Sequence, residues 1–114
     1  MVMEMNTGYC KVVAIIQSIT LDRVERSLQE LGVPGLSVTC VKGYGEYVDF
    51  YSRDCMTTYA RVEVFTSAKR AEAIAQAIME AAHSGEKGDG IVAVLPVNKI
   101  YRIRKCAEVQ PDEI

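Results

Sequence analysis

Thr58-Tyr59-Ala60-Arg61-Val62-Glu63-Val64-Phe65-Thr66 alternates side-chain character at period two, and Ser67 then opens a run in which Ala71, Ile74, Ala75, Ile78 and Ala82 recur at helical spacing. A strand turns successive side chains to opposite faces, whereas a helix brings positions three and four apart onto one face. The stretch therefore predicts a half-buried strand that passes straight into a helix capped by Ser67, with Lys69, Arg70, Glu72, Gln76 and Glu80 on the outer side. Alanines on the inner side let that helix lie close to a sheet.

Upstream, Leu36-Ser37-Val38-Thr39-Cys40-Val41 alternates in the same way, so the two strands predict an antiparallel pair joined by the loop Glu46–Thr57. That loop mixes tyrosines and charges without a period; it reads either as a recognition surface or as partly packed side chains. Earlier still, Val12–Ile16 is a continuous apolar run suited to a central strand. Leu21, Val24, Leu28 and Leu31 then mark a helix, with Thr20 as its N-cap and Gly32 as its stop. Downstream, Ile91–Leu95 and Ile100–Arg104 predict two last strands separated by Pro96. The order is βαββαβ with an extra C-terminal strand, an α+β chain of the ferredoxin-like arrangement with both helices on one sheet face. The other face, carrying Tyr59, Arg61 and Glu63, is left for water or for other subunits.

The 114 residues suit one domain, with 49% apolar and 25% charged residues and a net charge of -2. That balance gives no basic footprint for nucleic acid. With no apolar run near the roughly 20 residues that span a bilayer, and no signal-peptide pattern at Met1–Asn6, the expected location is the cytoplasm. Cys10, Cys40, Cys55 and Cys106 are scattered and His83 is the only histidine, so zinc is poorly supported and no nucleophile has an evident base. Cys10 and Cys40 fall in strand patterns and predict small buried hydrophobes; Cys55 and Cys106 are the candidates for reactivity.

Gly85-Glu86-Lys87-Gly88-Asp89-Gly90 leads toward Tyr101-Arg102-Ile103-Arg104. Glycines allow backbone N–H groups to converge on an anion, and arginines two apart on a strand would point the same way, which describes a phosphate site. No Gly-Lys-Ser/Thr follows, so this is no Walker loop. On the turn alone, a tight turn with solvated arginines is the plainer reading.

Three motifs together resemble the PII signal-transduction family, over about Cys10 to Arg104. They are Val38-Thr39-Cys40-Val41-Lys42-Gly43-Tyr44-Gly45 after Gly35, Gly88-Asp89-Gly90 preceded by Ala82-His83-Ser84-Gly85, and the closing Tyr101-Arg102-Ile103-Arg104. The resemblance implies a single PII-like domain over 1–114, with an N-terminal tail 1–7, a shortened T-loop 46–57 and a C-terminal tail 105–114. It implies a homotrimer binding adenine nucleotide in the clefts between subunits. Phosphates would be held by Lys87, Gly88, Asp89 and Gly90 and by Arg102 and Arg104. Gly35, Leu36, Ser37, Gly43, Tyr44 and Gly45 would line the rest of the cleft, with Phe65 near its base. Through Glu46, Tyr47, Phe50, Tyr51 and Arg53 the T-loop would meet a protein partner.

Departures from the family pattern refine this. Glu46 and Tyr47 stand where the family has an arginine and a glutamine, so the glutamine that binds 2-oxoglutarate with magnesium is missing, and Ile91 replaces a phosphate-binding lysine. ADP or AMP is thereby favoured over ATP, since Glu46 would also repel a γ-phosphate. The short loop resembles branches found beside carboxysome or bicarbonate-uptake genes, and others beside heavy-metal efflux genes. The first implies bicarbonate as co-effector and a transporter or carboxysome-related protein as partner. The alternative is a link to metal efflux or a metal-binding trimer, for which only His83, the cysteines and carboxylates offer ligands. Of regulator, enzyme and metal-binding trimer, the regulator is the preferred reading, because an enzyme would need a nucleophile with a base beside it.

Overall fold

The computed structural model describes residues 8–41, 59–110 and 113–114. Its order is β1 (Tyr9–Gln17), α1 (Leu21–Glu30), β2 (Ser37–Cys40), β3 (Tyr59–Ser67), α2 (Ala68–Ala82), β4 (Gly90–Val97), β5 (Tyr101–Arg102) and β6 (Ala107–Glu108). The first four strands form one sheet in the order β2-β3-β1-β4, all neighbours antiparallel. This is the predicted α+β, ferredoxin-like arrangement, and the apolar run at Val12–Ile16 takes the expected central place. The extra C-terminal strand joins no part of that sheet; β5 pairs only with β6 in a separate ribbon.

Period-two alternation becomes burial directly. Val12, Ala14 and Ile16 of β1 and Ala60, Val62 and Val64 of β3 face Val24 and Leu28 of α1 and Ala71, Ile74, Ile78 and Ala82 of α2. Each large side chain fully buried here contributes about 1.5–3 kcal/mol relative to exposure. The register places Lys11, Phe65 and Leu95 side by side on the opposite face, with Val13, Glu63 and Ala93 in the next row and Ile15, Arg61 and Ile91 in the third.

Several local expectations are corrected. Thr20 is not a capping side chain: its backbone is already helical, and its hydroxyl donates to the Gln17 carbonyl at 2.7 Å, closing the short turn between β1 and α1. Ser67 has the extended backbone of an N-cap but makes no side-chain cap bond. Pro96 does not separate two strands; it lies inside β4 opposite Cys10. An outer strand tolerates this because a proline there need not break a ladder. Residues of β2 are all exposed rather than half-buried, Cys40 included, because β2 is the other outer strand. Leu31 lies beyond α1 and is exposed, and the chain turns away at Gly32, whose φ is +82°. Cys10 is partly buried, and Cys106 is exposed with a left-handed φ of 49°.

Candidate functional site

Two regions collect the predicted residues, one at each end of the sheet. At the first, the chain entering β2 (Gly35, Leu36, Ser37) meets Phe65 of β3 and Arg102 at the end of β5 around a cavity of about 570 Å³. Glu63, Tyr101 and Ile103 also line it, and none of these was singled out from the sequence. Glu63 could have been, because it stands two residues from Phe65 on the same strand and so shares its face. Its carboxylate lies 3.7 Å from Lys11 Nζ and 3.4 Å from Arg61 Nε. Lys11 in turn sits 5.9 Å from the centre of the Phe65 ring.

What holds the floor of this cavity in place is a set of contacts from the C-terminal residues. Tyr9 donates its hydroxyl to the Val109 carbonyl, Val109 N–H bonds the Ile100 carbonyl at 2.8 Å, and Val109 is buried. The two arginines do not share a face as predicted. Arg102 closes β5, but the backbone then coils into a helical turn over Ile103–Lys105, so Arg104 leaves the strand and is exposed away from the cavity lining. A turn of that type rotates about 120° per residue, which breaks the period-two relationship.

At the second region lies the glycine turn. Its backbone is fixed from within: the Asp89 carboxylate accepts the Ser84 N–H at 2.8 Å, the Gly85 N–H at 2.9 Å and the Ser84 hydroxyl. Ser84 Oγ also accepts the Glu86 N–H at 3.2 Å. These bonds, the Ser84 hydroxyl first, hold the Asp89 carboxyl below its usual range, with a minor contribution from His83, whose Nδ1 is 3.9 Å away. Hence the Gly85 N–H, one of the converging groups read as an anion nest, serves Asp89 itself, as does the Ser84 N–H before it. Gly85, Gly88 and Gly90 all have positive φ, as the turn requires. Gln17 Nε2 donates to the Gly88 carbonyl at 3.1 Å, tying the turn to the end of β1, a contact no local pattern announces. Asp89 and Gly90 border an apolar cavity of about 350 Å³ with Ile78, Met79 and Ile91, while Lys87 is exposed.

Within one chain these regions are far apart. Gly90 pairs with Ile16 and Phe65 with Lys11, five residues along β1, a separation of roughly 16 Å. Gly43, Tyr44, Gly45, Glu46, Tyr47, Phe50, Tyr51, Arg53 and Cys55 lie outside the described residues. Among the described residues no three His, Cys, Asp or Glu side chains are grouped as metal ligands would be, and no helix is long and apolar enough to cross a membrane.

Comparison with known proteins adds an independent line. The family model described as nitrogen regulatory protein P-II matches residues 9–107. A nitrogen regulatory protein P-II of Azospirillum brasilense is 36% identical in an alignment of 107 residues, which takes in 82% of this chain and 90% of the relative. The nitrogen regulatory protein GlnK2 of Haloferax mediterranei is 38% identical over 113 residues, covering 87% of each chain. A crystal structure of Arabidopsis thaliana PII bound to citrate superimposes with a TM-score of 0.78 at 27% identity, covering 91% of this chain and 88% of the other.

Proposed function

The chain belongs to the nitrogen regulatory protein P-II family, whose members are regulatory signal transducers rather than enzymes, and from that premise we propose a nucleotide-responsive homotrimer. Each site is completed by two chains. One contributes the cavity of Gly35, Leu36, Ser37, Phe65 and Arg102; its neighbour brings the turn Lys87–Gly90. The carrying observation is the separation of these halves within a single chain, which a neighbouring subunit's copy of the missing half would close. An anion suits the site because Arg102 reaches the cavity, and the solved Arabidopsis relative was bound to citrate, itself an anion.

The ligand is ADP or AMP in preference to ATP, because an apolar Ile91 follows the glycine turn where a lysine would meet a further phosphate. Bicarbonate acts as co-effector, and residues 46–57 form a shortened T-loop that contacts a transporter or carboxysome-related protein. The Azospirillum alignment is consistent with a shortened chain: it runs to 107 positions yet takes in 82% of 114 residues, so the relative carries residues without a counterpart here. Ligand binding shifts the loop between two states by differential affinity.

Isothermal titration tests this. ADP should bind the wild type, and Arg102→Ala should weaken it by about 1.5–3 kcal/mol, the loss of a charge-assisted contact. Equal affinity in the variant would remove Arg102 from the site. Bicarbonate should change ADP affinity, and reciprocal linkage requires ADP to change bicarbonate affinity by the same factor.

A further inference from the structure

The cavity that holds Arg102 also contains part of the protein's own C-terminal segment. Glu113 places one carboxylate oxygen 4.0 Å from Arg102 Nε and the other 3.9 Å from Lys105 Nζ. Ile114 lines the same cavity, and both residues also border an adjoining one beside Lys69 and Arg70 at the start of α2. Positive side chains from β5 and the turn after it thus hold one carboxylate, while Lys69 and Arg70 line the adjoining cavity. The carboxylate occupies the kind of setting an anionic ligand would seek, where two cations attract negative charge. The backbone supports the placement: Glu113 N–H bonds the Gln110 carbonyl at 2.9 Å, one residue beyond the buried Val109.

We propose that Glu113 and Ile114 act as a built-in competitor, with the Glu113 carboxylate held on Arg102 until a phosphate-bearing ligand displaces it. This rests on the nucleotide reading above. The pairing is exposed enough to exchange readily, because a surface ion pair is worth only a fraction of the charge-assisted contacts a phosphate offers. Its consequence is twofold. Nucleotide affinity is set below what the cavity alone would give, and occupancy is reported at the C-terminal segment as well as at the loop.

The experiment compares ADP titrations of wild type, Glu113→Gln and, as a control for general charge, Glu108→Gln on β6. Glu113→Gln should bind ADP about two- to fivefold more tightly, in line with the worth of an exposed ion pair, and Glu108→Gln should match the wild type. Hydrogen exchange of the Glu113 amide should quicken when ADP is added to the wild type. Equal affinities for wild type and Glu113→Gln, a similar gain in Glu108→Gln, or an amide unaffected by ADP would each overturn the proposal. If ADP binds none of the three proteins, the nucleotide reading itself fails. Exchange in nucleotide-free Arg102→Gln then decides the contact alone: a faster Glu113 amide upholds the pairing, and an unchanged one removes it.

Discussion

Gly90 begins β4 pressed against Ile15 of β1, so closely that a Cβ at Gly90 would lie 1.7 Å from the Ile15 carbonyl oxygen, with φ at +110°. Both the contact and the dihedral exclude any side chain. Gly35, at the rim of the Arg102 cavity, is the opposite case, since a Cβ there meets nothing within 4 Å. Gly90→Ala should therefore cost about 3 kcal/mol or more in chemical denaturation, the combined effect of strain and backbone clash. Gly35→Ala should leave stability within about 0.5 kcal/mol and lower ADP affinity by narrowing the cavity. Equal stability losses in the two variants would contradict this division between a glycine required by the fold and one required by the ligand.

Asp89 ties the turn to Ser84 and Gly85 only while its carboxyl is ionised. Because the folded carboxyl titrates below its ordinary 3.8, the stabilisation is complete above that value and is lost as pH falls through the depressed one. Asp89→Asn should melt below the wild type at pH 7, and the gap should narrow as pH drops under 3.8. A gap that persists undiminished at the lowest accessible pH would show that charge is not what holds the turn.

On the sheet face away from the helices, Phe65, Ile91 and Leu95 are 49%, 56% and 42% exposed, and Val13 and Ile15 lie between them by register. Apolar side chains along β1 and β4, bordered by the Lys11, Glu63 and Arg61 charges, are what a subunit interface covers. Sedimentation of the wild type should give about three times the 12.6 kDa subunit mass. Leu95→Glu should move the protein toward monomer and, if each cleft is shared by two chains as proposed, weaken ADP binding at the same time. Monomeric protein that binds ADP normally would refute the shared cleft.

Much of the frame was legible in the residues themselves. Alternation at Thr58–Thr66 and helical spacing at Ala71–Ala82 report burial on one face, and burial of one face is what a sheet covered by two helices imposes on each segment. Where prediction failed, it failed at positions that two different elements contest. Thr20 has a capping residue's chemistry, but its hydroxyl donates to the Gln17 carbonyl instead of accepting an N–H of α1. Pro96 punctuates a sequence, yet an outer strand passes through it. Arg102 and Arg104 look paired on paper because period two was assumed to continue two residues past where the strand ends.

The chain's βαββα order, its two-helix layer and the residue types proposed for an anion site were legible in sequence alone, since each follows from local periodicity or local chemistry. Tertiary structure decided the rest: that Arg102 joins Gly35 and Phe65 while Arg104 does not, that Gln17 fastens the turn at Gly88, and that Glu113 comes to lie on Arg102. Those relationships depend on where separate backbone segments meet, and such meetings are set by packing of the whole sheet rather than by any residue's own preference.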